Sequence, residues 1–175
     1  MRTIDTDHPS RAAGAPIAFR DRVAPGDPEA IARLVAGTGF FSDAEVEVAA
    51  SLARERIEQG AACGYAFVFA ESERELLGYA CHGPIPGTAA SHDLYWIAVA
   101  AGTQGRGVGK ALLAEVERSV AAAGGRRVYV ETASREQYRA TRAFYEHNGY
   151  RQEALLVDFY APGDGKVIYV KVLPG

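Results

Sequence analysis

Little in this sequence supports a covalent or metal-held framework. Only two cysteines, Cys63 and Cys81, occur in 175 residues. They lack CxxC spacing and sit in apolar surroundings, which excludes a disulfide scaffold and fits a reducing compartment. The four histidines, His8, His82, His92 and His147, are scattered, and without an HExxH or Cys/His cluster no metal site is readable. Charge of one sign is also scarce. The 19 basic and 22 acidic residues leave a net charge of -3, no general field for a nucleic-acid backbone. No run of about 18 apolar residues occurs, and the N-terminal MRTIDTDHPSRAAGAP has no apolar stretch of the secretory kind. The expectation is a cytoplasmic protein with neither nucleic-acid nor membrane partners.

What is present is an ordinary globular balance, 48% hydrophobic and 23% charged. A domain of this length buries about 70% of its unfolded surface, so its core needs no staples. Residues 1–15 are polar and read as a flexible tail, followed by a single domain over 16–175. IAFRDRV is a short strand. GDPEAIARLVAGTG is a helix with Asp27 at the N-cap and Pro28 at its first position, and Ser42 caps a second helix that Gly60 ends. From Tyr65 the hydrophobic period becomes two: YAFVFAE and LLGYACHG form a hairpin, and DLYWIAV is a continuous apolar fourth strand, expected to be buried on both faces. Val108, Leu112, Val116 and Val120 make one helical stripe, RRVYVET is strand five, and a helix from Tyr138 to His147 precedes a closing hairpin. The order β-α-α-β-β-β-α-β-α-β-β predicts a mixed α/β sheet.

The segment richest in chemistry is YWIAVAAGTQGRGVGKALL, where a strand meets a glycine-spaced turn and then a helix. Amides at a helix N-terminus have no intrahelical partner and lie at the positive end of the dipole. Gly105, Gly107 and Gly109 would let a phosphate approach closely, with Arg106 and Lys110 adding charge. Neither named nucleotide loop fits: GxGxxG fails at Lys110, and Walker A would need Gly at Gln104 and Ser or Thr at Ala111.

The turn does match Q/R-x-x-G-x-G/A through Gln104, Gly107 and Gly109, and TRAFYEHNGY supplies an aromatic-Tyr pair, Phe144 and Tyr145, four residues before Gly149-Tyr150. In these two motifs and in its element order the chain resembles the GNAT superfamily of N-acetyltransferases from about Ile17 to Leu173. The resemblance implies a sheet whose parallel strands four and five splay apart. It implies acetyl-coenzyme A as co-substrate, its pyrophosphate on the amides from Gln104 through Gly105, Arg106, Gly107 and Val108 to Gly109 beside Lys110, and its pantetheine paired with the backbone of Ile97, Ala98 and Val99. Where many members carry Asn seven residues before the motif tyrosine, this chain has Tyr138.

An alkylamine with a pKa near 10.4 lies about 3.4 units above pH 7, so supplying its neutral form costs roughly 4.6 kcal/mol and a base is useful. Asp93, six residues before Val99, is the leading candidate by the resemblance, acting through a water, and Glu131 at the end of strand five is the second. The departing thiolate needs a proton or hydrogen bond, which a phenol can give, and Tyr145 fits that role. On a regular helix Tyr138, Thr141, Arg142 and Tyr145 share a face toward the coenzyme, with Ala140, Phe144 and His147 elsewhere. Arg142 would hold a phosphate or pair with a carboxylate. Cys81 reads as core, so direct transfer in a ternary complex is expected. By the resemblance, the acceptor, a small-molecule or peptide amine, would meet GTGFFSD and HGPIPGTAASHD, with Phe40, Phe41 and His82 as contacts. A homodimer, a non-catalytic acetyl-coenzyme A sensor and a nucleotide-binding α/β module stay open at this point.

Overall fold

The computed structural model describes residues 16–73, 75–103 and 105–174, and its elements follow the predicted order. β1 (Ala18–Arg20) leads into α1 (Asp27–Gly37) and α2 (Asp43–Gln59), then β2 (Ala66–Ser72), β3 (Glu75–Pro84) and β4 (Ser91–Val99). After these come α3 (Val108–Ala122), β5 (Arg127–Ala133), α4 (Arg139–His147), β6 (Arg151–Ala161) and β7 (Asp164–Val172). The expected tail of 1–15 lies outside the described residues. One seven-stranded sheet has the order β1-β2-β3-β4-β5-β7-β6. β4 and β5 pair in parallel and the other neighbours antiparallel, as the α3 crossover between β4 and β5 requires.

Local chemistry accounts for the helix ends. Ser42 and Glu45 form a reciprocal capping box on α2, each side chain accepting from the other's backbone amide. The cap of α1 differs from expectation: Gly26 is the N-cap and Asp27 stands in the first turn. Its carboxylate is held elsewhere, accepting from the Ala24 amide at 2.6 Å and from Arg20 at 2.7 Å. Arg20 reaches Glu71 at 2.7 Å as well, which ties β1, the start of α1 and β2 together.

Each sheet face carries its own core. The α3 stripe of Val108, Leu112, Val116 and Val120 packs with Ala80, Leu94, Val128 and Val130. On the opposite face, Ile31, Val35, Ala49 and Ala53 of α1 and α2 pack with Phe67, Phe69, Tyr79 and Cys81. Gly78 permits the α3 contact, because a Cβ there would stand 2.9 Å from Leu112 Cδ1 and 2.8 Å from the Ala98 carbonyl oxygen.

β4 departs from a strand buried on both faces. Its register against β3 shifts so that Cys81 faces Trp96 and His82 faces Leu94, which leaves Tyr95 as the extra residue of a β-bulge. The bulge resets the alternation. Leu94 and Ile97, three residues apart, both join the α3-side core, while Tyr95 turns outward with 38% of its surface exposed. Pairing of β4 with β5 runs only from Ser91 with Arg127 to Leu94 with Val130. It ends at the residue before the bulge, so the two strands diverge where β4 bends.

His82 lies in the protein interior, 3% exposed, and neither ring nitrogen has a hydrogen-bond partner among the described residues. Burial, followed by the field of nearby His92, pulls its pKa from 6.5 down to about 4. The folded state therefore binds this proton less readily than the unfolded chain. The stability associated with neutral His82 is intact above pH 6.5 and is lost as pH falls toward 4, amounting to ~3 kcal/mol across that window. His82→Leu is expected to cost little at pH 7.5 and to shrink the loss of stability between pH 7.5 and 5.0 by ~2 kcal/mol. Urea midpoints of both proteins at the two pH values check this, and an unchanged difference would contradict it.

Candidate functional site

Among the described residues β4 has no strand partner on its β5 side beyond Leu94, while β5 stays paired with β7 on its other edge from Arg127 to Ala133. A cleft of about 930 Å³ opens there, walled by β4, β5, the start of α3, α4 and the connection from α1 to α2. The free edge of β4 presents backbone N–H and C=O groups, Ile97, Ala98 and Val99 among its lining. Such groups are satisfied by an extended ligand that carries amides of its own.

At the far end the cleft meets the N-terminus of α3. Gly107 is the N-cap with φ 81, and among the described residues no side-chain cap hydrogen bond is made there. Gly105 has φ 78, and a Cβ at either glycine would meet nothing within 4 Å. Open space at both glycines lies next to the first-turn amides of α3, and amides without intrahelical partners suit an anion. Gly105, Gly107, Val108, Gly109 and Lys110 line the cleft. Arg106 is exposed and outside its wall, and Gln104 lies outside the described residues.

α4 contributes differently from the helical-wheel expectation. Tyr138, Thr141 and Tyr145 line the cleft, but so do Ala140 and Phe144. Ala140, Thr141, Phe144 and Tyr145 all lie within the regular helix α4, where their i+3 and i+4 spacings place them on one broad face. Arg142 leaves the wall, donating through Nη1 to the carbonyls of Ala133 at 2.8 Å and Arg135 at 3.0 Å. Its role is to fasten α4 to the end of β5. Phe144 seals the junction, its ring 3.5 Å from where a Gly109 Cβ would stand.

Tyr145 is 3% exposed, packed against the rings of Phe144 at 5.3 Å, Tyr150 at 5.6 Å and Tyr169 at 6.0 Å. Burial alone pushes its phenol above the usual range, so the hydroxyl stays protonated and can act as a hydrogen-bond donor.

The two carboxylates are divided by environment. Glu131 lines the cleft and is paired with Lys166 at 2.6 Å. Asp93 does not line it. It sits opposite Tyr129, before the bulge and two residues from the lining Tyr95. Its pKa is raised above the ordinary carboxylate value, first by burial and then by the charge of Glu131, with Lys166 opposing.

The acceptor-side expectations divide too. Phe40 and Phe41 line the cleft, Phe40 edge-on to Tyr138 at 6.4 Å and Phe41 against Trp96 at 4.9 Å. His82 is a correction: it is sealed inside the protein and does not reach the wall. Cys81 is fully buried away from the cleft, and burial pushes its thiol up, leaving no reactive thiolate there. Trp96, Phe144, Tyr160 and Asp164 also line the cleft. Phe144 belongs to the second motif and Trp96 precedes Ile97 on β4, whereas Tyr160 and Asp164 flank a hairpin turn and carry no local signal. Among the described residues, no group of three or more His, Cys, Asp or Glu is placed to hold a metal, and no helix is long and apolar enough to cross a membrane.

The family profile described as acetyltransferase (GNAT) domain matches residues 63–152. A crystal structure of a protein assigned to the GNAT family of acetyltransferases, from Desulfovibrio desulfuricans, is 47% identical, covering 91% of this chain and 100% of its own, with a TM-score of 0.90. An aminoglycoside 6'-N-acetyltransferase complexed with coenzyme A is 19% identical, over 91% of this chain and 98% of its own, at a TM-score of 0.71. The ribosomal-protein-S18-alanine N-acetyltransferase from Escherichia coli is 18% identical, over 91% and 96%, at 0.71. These last two are alike in fold. A comparison with curated proteins gives no match.

Proposed function

The chain belongs to the GNAT family of acetyltransferases, and on that premise we propose that it moves an acetyl group from acetyl-coenzyme A to a primary amine by direct attack, both substrates occupying the one cleft. The observation that carries this reading is the parting of β4 from β5 after Leu94, which joins a free strand edge to the N-terminus of α3. The residues suit such a co-substrate. The turn of Gly105 and Gly107, the first amides of α3 and Lys110 fit a phosphate, and the backbone of Ile97, Ala98 and Val99 fits an amide-bearing arm. The similarly folded aminoglycoside acetyltransferase was crystallised with coenzyme A.

When bound, acetyl-coenzyme A supplies an activated thioester. Transfer forms one C–N bond and breaks one C–S bond. One amine proton leaves through a water to Asp93, whose raised pKa suits a proton acceptor, while Glu131 is engaged by Lys166 at 2.6 Å. Tyr145 donates a hydrogen bond to the sulfur as negative charge develops on it. Its raised pKa favours hydrogen bonding over complete proton release, because a thiol near 8.5 is the stronger acid.

Calorimetric titrations with acetyl-coenzyme A and with ATP test the reading, the first expected to bind and the second not. Gly107→Glu is expected to weaken acetyl-coenzyme A at least tenfold, only ~1.4 kcal/mol, since it puts a carboxylate where an anion is to sit. Part of any effect is backbone strain, about 1–2 kcal/mol for a side chain in the left-handed region. Gly107→Asn, which tolerates that region, controls for it. Unchanged affinity in a folded Gly107→Glu protein, or binding of ATP in place of acetyl-coenzyme A, would overturn the assignment.

A further inference from the structure

We propose that the outer edge of β6 is where two copies of this chain join, the sheet of each continuing into the other across a two-fold axis. β6 ends the strand order and, among the described residues, pairs with β7 alone, so its outer row of backbone N–H and C=O groups has no strand partner. Edge strands are ordinarily blunted against such pairing by lysine, proline or inward-pointing charge. β6 carries the apolar run from Ala154 to Val157, followed by Phe159 and Tyr160. Leu155 and Leu156 stand in regular register opposite Val167 and Lys166, so they point to opposite faces of the sheet. Both are left open, 47% and 42% exposed. A strand apolar on both faces is the pattern of one inside a sheet, and here it lies at the end of one.

Beyond Leu156 the hairpin widens. Leu156 faces Lys166 and Ala161 faces Asp164, so residues 157–160 stand out from the ladder as a bulge. The bulge is held in place: Asp158 has φ 54 and its Oδ1 accepts from the Gly163 amide at 2.7 Å, while the Lys166 ammonium sits 4.1 Å from the centre of the Phe159 ring. Val157, Phe159 and Tyr160 are thereby presented with at least half of their surface exposed. With the two leucines they offer on the order of 500 Å², in the upper range for the largest apolar patch of a monomer. An isologous pairing covers the patch on both copies, ~1,000 Å² before the backbone edge is counted, which reaches what a specific interface needs. Residues 1–15 carry only Met1 and Ile4 as large apolar side chains, too few to cover it. A second β6 matches it in length, in apolar character and in unpaired backbone, and because Tyr160 also lines the cleft, the junction abuts the site.

Sedimentation equilibrium of the full chain across the micromolar range tests this. The expected result is a mass that rises to twice that of one chain and stops there. Leu155→Lys and Val157→Lys should each weaken association at least tenfold, since an edge lysine opposes strand pairing. Val48→Lys, at an exposed apolar position on α2, should leave it within twofold. Val157 has no partner on β7, so its lysine variant should keep the parental melting temperature, and it carries the test if Leu155→Lys does not fold. A monomer at every concentration, a mass that climbs without a plateau, or association that survives Val157→Lys or is lost in Val48→Lys would overturn the proposal. So would a monomer that dimerises only once residues 1–15 are removed, which would identify that segment as the cover.

Discussion

Asp93→Asn is expected to lower kcat/KM for an amine acceptor by about 10²-fold at neutral pH, the low end of what a general base contributes, since a water intervenes. The loss should be greatest just above the acidic limb of the wild-type profile, vanish below it where Asp93 is itself protonated, and shrink toward pH 10, where hydroxide takes the amine proton instead. The wild-type profile should carry an acidic limb above the ordinary carboxylate range, because burial and the charge of Glu131 both raise Asp93. Glu131→Gln removes one of those causes and frees Lys166, which acts in the opposite sense, so this limb should move to lower pH. A merely structural Asp93 would not tie its pH profile to residue 131. A uniform fall of less than threefold at every pH would point to solvent or Glu131 as the proton acceptor.

Tyr145→Phe should leave acetyl-coenzyme A affinity and melting temperature close to those of the parent and lower kcat roughly ten- to a thousandfold. The ring keeps its contacts with Phe144, Tyr150 and Tyr169, so packing is conserved. What is lost is a donor needed only as charge develops on sulfur, and such a loss reduces kcat and kcat/KM together. A structural tyrosine would behave oppositely, with stability falling by about 1 kcal/mol and turnover intact. Melting temperature and single-turnover rate measured on one preparation separate the two, and parental turnover in the Phe variant would eliminate the donor role.

The cleft's two ends were unequally legible. The glycine turn and the start of α3 are contiguous in sequence, and their chemistry comes from backbone amides, so spacing alone indicated an anion site. Arg142 shows the limit of such reasoning. A wheel places it beside Tyr145, but the carbonyls of Ala133 and Arg135, which no periodicity displays, take its donors. His82 shows the same limit, since its place in HGPIPGTAASHD made it an expected acceptor contact whereas packing closed it off.

Local signals determined the order of elements, the apolar stripe of α3, the capping box at Ser42, and the two family motifs, because each depends on residues within a few positions of one another. Tertiary structure decided where β4 leaves β5, which side chains beyond the bulge face the cleft, and how Glu131, Lys166 and Asp93 share charge. It also brought Phe40, Tyr138 and Tyr160, from three separate segments, to line one cleft. Those outcomes depend on strand register and on contacts between residues far apart in the chain, and a one-residue slip reverses every face downstream of it.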